Sequence, residues 1–281
     1  MKIGKFNLHI INSGYFGLDG GAMFGIIPKP LWEKKNPADS MNRIKLATRN
    51  LLLDDGKRKI LVDTGMGNKW DDKSKKIYDI NQDEFSLTGQ LKKIGLKHED
   101  ITDVILTHLH FDHTGGSTSR RNGKLEPAFP NAKYYVQKKN YDWAVNPSER
   151  DKGSYIKDNF VPLHEAGVLN FIEGETNFDD EIEFILVNGH TFAQQLLKIS
   201  DSSDTLLYCC DLFPTTSHIP LPYVMGYDLQ PLVTVEEKKK ILKKAVDEEW
   251  RLFFEHDHEN ALATVALTEK GYQIKEKFNG F

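Results

Sequence analysis

Apolar and polar residues alternate through positions 1–15, a period of two that predicts an opening strand. Short runs rich in branched side chains and bounded by turn residues predict further strands over 8–12, 50–53, 59–62, 103–106 and 133–136. A second group follows over 183–187, 195–199, 205–210, 251–254, 263–267 and 272–275. Leu87, Leu91 and Ile94 fall at helical spacing ahead of Gly95, which suits a helix C-terminus. Thr234 followed by Glu237 has the form of a capping box and predicts a helix opening there and running to about 249. Its lysines would lie in water, with Ile241, Leu242, Ala245 and Val246 turned inward. Residues 14–41 and 115–131 read as two long irregular loops.

Strands recur in both halves, and no linker rich in Pro, Gly or Ser, repeat or low-complexity tract separates them. The expectation is one domain over 1–281 made of two sheet-and-helix halves, about 1–175 and 176–281. With 39% hydrophobic and 28% charged residues, the chain of 281 residues has the composition of a folded globular protein. A net charge of -4 offers no concentrated basic face for phosphate, so nucleic acid is discounted as a partner. No apolar run approaches the roughly 20 residues that span a bilayer, and no secretory leader is evident, so no membrane partner is expected. The only cysteines, Cys209 and Cys210, are adjacent and make no disulfide framework, which fits a cytoplasmic location.

The chemistry concentrates in Thr107-His108-Leu109-His110-Phe111-Asp112-His113-Thr114-Gly115-Gly116, directly after a predicted strand. Four candidate ligands lie within six residues, His108, His110, Asp112 and His113. A strand running into a tight turn lets alternate histidines face one point and the turn residues a neighbouring one, an arrangement suited to two metal ions. Imidazole with carboxylate favours zinc or another borderline divalent cation. Three further candidates each follow a predicted strand: His190 in Gly189-His190-Thr191, Asp211, and His256, which is preferred over His258 because it is nearer the strand end. Strand ends are where ligands from distant sequence can converge on a rigid frame.

These motifs, in this order and with Val62-Asp63-Thr64-Gly65 ahead of them, resemble those of the metallo-β-lactamase superfamily from Leu51 to His256. The resemblance implies an α/β fold, a four-layer αββα metallo-β-lactamase sandwich. It also implies two divalent metal ions, zinc first among them. His108, His110 and His190 would bind one ion, Asp112, His113 and His256 the other, and Asp211 would bridge. Asp63 would support a ligating histidine from behind, since such rings need a partner for their second nitrogen. His218, soon after Asp211, is a second supporting candidate. His9, His98 and His164 have no metal-like spacing.

The activity implied is hydrolysis by a metal-bound hydroxide, with Asp112 passing a proton to the leaving group. The stretch from Gly20 to Trp32 is similar to the N-terminal loop of the quorum-quenching N-acyl-homoserine lactonases, which points to a lactone or ester carrying an apolar portion. Met23, Phe24, Trp32, Phe111, Phe192 and Tyr223 are the candidate walls of its groove, with Met225 and Tyr227 beside them. Pro214 stands where some lactonases carry a tyrosine, and Tyr223 is the candidate to replace its hydroxyl. A glyoxalase-II-like thioesterase or a phosphotriesterase-type hydrolase would use the same ligands. A mononuclear iron oxygenase of this fold would not need Asp112, His113 and His256, and a metal-stabilised scaffold would close its site to water. The oligomeric state is left open, a homodimer included.

Overall fold

The computed structural model describes residues 1–81 and 85–281. The chain forms two compact units, Met1–Tyr15 with Thr48–Gly174, and Phe16–Ala47 with Glu175–Phe281. The crossings fall inside two long strands, Phe6–Asp19 and Arg43–Asp54. Residues 16–47 therefore join the later half of the chain, an exchange that alternation of polar and apolar residues does not encode.

One seven-stranded sheet runs in the order Lys2–Ile3, Phe6–Asp19, Arg43–Asp54, Lys59–Val62, Asp103–Ile105, Lys133–Gln137, Leu169–Ile172. Its last four strands are parallel. Lys59–Val62 and Asp103–Ile105 are buried along almost their whole length. That is why they read as continuous apolar runs, with both faces covered. Leu52, Leu61, Val104 and Val136 share a core with Leu91, Ala144 and Leu163 from the helices Leu87–Lys93, Lys138–Val145 and Val161–Glu165.

The second seven-stranded sheet follows chain order from Asn177–Asp179 to Gly271–Phe278. All its neighbours are antiparallel except Thr205–Tyr208 with Arg251–Phe253. A parallel pair needs a crossover, and the helix Pro231–Asp247 supplies it.

Several expectations need correction. The stretch 14–41 is not an irregular loop: the strand Phe6–Asp19 runs into it, and the short helices Gly20–Phe24 and Lys29–Trp32 follow. The stretch 115–131 contains a hairpin, Thr118–Arg121 with Lys124–Pro127, turned at Asn122 and Gly123, both with positive φ. The predicted capping box does not form, because the helix opens a turn earlier at Pro231 and Thr234 lies inside it. Among that helix's lysines, Lys238 is fully buried. Val246 is only half-buried, and the strands before His108 and Asp211 end at Ile105 and Tyr208. Among the described residues, no helix is long and apolar enough to cross a membrane.

Candidate metal centre

In the first unit, the parallel strands Lys59–Val62 and Asp103–Ile105 end side by side and hand their chains to the two segments that matter. Asp63 follows the first with φ 54°, a left-handed backbone, and its amide bonds Ile105 at 2.9 Å. Its carboxylate accepts from the Thr107 amide at 2.8 Å and hydroxyl at 2.7 Å, and faces Nδ1 of His113 at 3.1 Å. A carboxylate there fixes the proton on Nδ1 and leaves the Nε2 lone pair for a cation.

Nε2 of His108 and Nδ1 of His110 lie 3.0 Å apart. Two lone pairs aimed at one tetrahedral ion would lie about 3.3 Å apart, given metal–nitrogen bonds of about 2 Å. Asp112 and His113 form a second pair, Oδ2 to Nε2 at 3.8 Å. All four side chains are buried. The turn carrying them is held by Asn140, whose side chain accepts the Leu109 amide at 3.0 Å. Its close is set by glycine: a Cβ on Gly115 would stand 2.0 Å from the Met66 carbonyl, and one on Gly67 1.9 Å from the Gly115 carbonyl.

In the second unit, Asp211 lies on a single 3-10 turn, Cys210–Leu212, entered through Cys210 at φ 47°. One of its oxygens is 3.1 Å from Nε2 of His190 and the other 3.2 Å from Nε2 of His256. Each histidine is anchored by its remaining nitrogen, His190 by Asp228 at 2.9 Å and His256 by the Ala47 carbonyl at 2.8 Å. Burial works against a charge on His190, but the Asp211 and Asp228 carboxylates outweigh it and raise the imidazole to about 9. Two carboxylates against one buried ring create a demand for positive charge. Imidazole nitrogens and carboxylate oxygens are the donor types a borderline divalent cation takes. His258 is half-buried, its nearest carboxylate Glu259 at 3.8 Å.

The candidate groove residues divide. Met23, Phe24 and Trp32 are fully buried, and Phe24 stacks on Trp32 and on the His218 ring. Their packing holds the segment 20–42 in place. His218 belongs to the same packing: Nδ1 meets the Thr215 hydroxyl at 2.8 Å and Nε2 the Met23 carbonyl at 2.9 Å. Tyr223 is half-buried with its ring edge against Phe24. Phe192 is half-buried in the turn after His190. Phe111 packs with Trp70 and Tyr78, two rings that sequence reasoning passed over. Asp228 and Asn140 were missed as well. No local pattern marks them, because each meets its partner through the fold.

The metallo-beta-lactamase superfamily model matches residues 46–266, and the chain belongs to that family. The N-acyl homoserine lactonase AiiA of Bacillus thuringiensis subsp. kurstaki is 30% identical over 183 residues, 63% of this chain and 64% of that protein. The chain thus spans just under two thirds of the length of AiiA and its Bacillus thuringiensis counterparts. A probable metal-dependent hydrolase from Staphylococcus aureus is 30% identical, with a TM-score of 0.89 over 99% of this chain and 98% of that one. AidC, a dizinc quorum-quenching lactonase, shares the fold at 24% identity, with a TM-score of 0.81 over 98% of this chain and 95% of its own. The fold is accordingly the α/β metallo-β-lactamase fold expected from the histidine run.

Proposed function

We propose that this protein is a dinuclear metal-dependent hydrolase that opens a lactone or ester bearing an apolar portion, with N-acyl homoserine lactones as the first substrate class. One observation carries the reading: the two oxygens of Asp211 each face Nε2 of a different histidine, at 3.1 and 3.2 Å, and both rings are locked from behind. A carboxylate so placed could serve two cations at once, one through each oxygen. In this reading His108, His110 and His190 hold one ion, Asp112, His113 and His256 the other, and Asp211 both. The assignment rests on family membership and on the ligand order. Zinc is the first candidate, from the donor set and from the dizinc description of AidC.

Two such cations would bring a water's pKa toward neutrality and polarise the carbonyl to be cleaved. The chain's own groups do the rest. Asp63 and Asp228 keep the ligand rings in the required tautomer, and Asp112 would take up the proton released by the attacking water and pass it to the departing oxygen. Phe111, backed by Trp70 and Tyr78, offers an apolar surface beside Asp112 for the substrate's chain. The lactone class is drawn from the relatives, whose names are N-acyl homoserine lactonases.

The test is metal content of the purified protein, together with turnover of a panel of N-acyl homoserine lactones, thioesters and phosphotriesters. About two divalent ions per chain and preferential lactone turnover are expected. Preferential thioester or phosphotriester turnover would move the substrate class. Full metal occupancy with no turnover would leave a scaffold and overturn the enzymatic reading.

A further inference from the structure

The helix Pro231–Asp247 carries two consecutive side chains that leave the solvated pattern of their neighbours. Glu237 receives the amides of Asn188 at 2.7 Å and Gly189 at 3.0 Å, one on each carboxylate oxygen. These are the two peptides immediately before His190. Lys238, with no exposed surface, donates to the carbonyls of Pro220 at 2.9 Å, Leu221 at 3.4 Å and Tyr223 at 2.8 Å. These lie on the loop that leads to Asp228. The ammonium also stands 5.7 Å from the centre of the Phe213 ring, two residues past Asp211.

An ammonium has three N–H donors and no acceptor, so three carbonyls use it fully. Burying it sacrifices hydration that an apolar side chain of similar length would not lose. A position serving only the core would be met by methionine or leucine. Consecutive helix residues point in different directions, so one turn of this helix can grip two separate loops. Both loops converge on one ring: the backbone of His190 comes from the Glu237 side, and Asp228, which holds its Nδ1, from the Lys238 side. The helix start closes the arrangement, since the Gln230 amide bonds Gly189 at 2.8 Å and the Leu229 amide bonds His190 at 3.1 Å. Gly189 lies so near the helix that a Cβ there would stand 2.2 Å from the Thr234 hydroxyl.

We infer that Glu237 and Lys238 are positioning residues for His190, one fixing the peptides that deliver the ring and the other the loop that delivers its carboxylate partner Asp228. The inference rests on the reading of His190 as a metal ligand. Neither residue touches substrate or cation.

The experiment uses the metal-loaded protein and the variants Glu237→Ala, Lys238→Met and Leu242→Ala, the last a buried residue of the same helix that serves as a stability control. Chelator competition with the bound metal, melting temperature and the low-field His190 Nδ1–H proton resonance are read for each. Glu237→Ala and Lys238→Met are expected to weaken retention of one cation about 10- to 100-fold, the range for groups that support a ligand from behind. Both should also broaden or shift the Nδ1–H resonance. Leu242→Ala should lower the melting temperature at least as much while retaining the cation and the resonance. Wild-type retention and an unchanged resonance in Lys238→Met would overturn the inference, and so would equal losses in Leu242→Ala. A wild-type protein that held no cation would instead overturn the metal reading, and the Nδ1–H resonance would still decide the inference.

Discussion

Asp228 lies 2.9 Å from Nδ1 of His190, across 38 residues of chain, in the position a ligating histidine needs filled. Asp63 does the same for His113 at 3.1 Å, across 50 residues. A carboxylate behind the ring sets its tautomer and makes the exposed nitrogen a better donor. Replacement of either by asparagine is therefore expected to lower metal affinity about 10- to 100-fold with the protein still folded. Competition with a chelator of known affinity, alongside circular dichroism, measures both. Wild-type affinity in both variants would show that the carboxylates serve the backbone alone.

Asp211 has the more demanding role, because both of its oxygens are committed to histidine partners. Asp211→Ala should abolish binding of at least one ion and reduce turnover by about 10³-fold or more, while folded yield falls far less. Asp112→Ala should keep more metal than Asp211→Ala but lose about 10²- to 10⁴-fold in turnover, the usual scale of a lost general acid. Purified variants assayed at equal folded concentration decide both points, and unchanged turnover in either would count against the mechanism.

His218 gives the protein a specific acid sensitivity. Burial lowers its imidazole to about 4, and Nε2 meets the Met23 carbonyl. A folded-state value below the ordinary 6.5 means that the unfolded chain takes up the proton first. The stabilising contribution is complete above about 6.5 and is lost as pH falls toward 4. The full shift corresponds to about 3 kcal/mol at roughly 1.4 kcal/mol per pH unit. Urea midpoints for the wild type and His218→Gln, followed from pH 7 to 4, should converge at the acid end. Parallel curves would remove His218 from the account.

Phe24 tests whether the segment 20–42 walls a groove or packs a core. Its ring is fully buried between Trp32 and His218, so Phe24→Ala should cost about 3–5 kcal/mol of stability. Preference among lactones of different acyl length should change little. A shifted chain-length preference without loss of stability would restore the groove.

Gly115 is a sharper case, because a Cβ there would stand 2.0 Å from a backbone oxygen with no flexible side chain to yield. Gly115→Ala should fail to give soluble folded protein or lose both metal and activity. Gly56→Ala, where a Cβ would meet nothing within 4 Å, provides a contrast, its cost limited to the strain of φ 85°.

Much of this protein could be read from the order of residues alone. The parallel strands Lys59–Val62 and Asp103–Ile105 were legible because burial on both faces writes an apolar run into the chain. The run from His108 to His113 stood out because its four candidate donors are neighbours in sequence, and the family resemblance it carried is the one the chain has. What the tertiary structure decided is of another kind. Thr234 and Glu237 are spaced as a capping box, yet the helix begins at Pro231 and the Glu237 carboxylate is drawn to two amides of a distant loop. Lys238 reads as a solvated lysine and is buried among three carbonyls. Met23, Phe24 and Trp32 have the composition of a pocket and the burial of a core. A sequence specifies which groups can donate, accept or shed water, whereas the partner each one meets depends on chain brought alongside by folding.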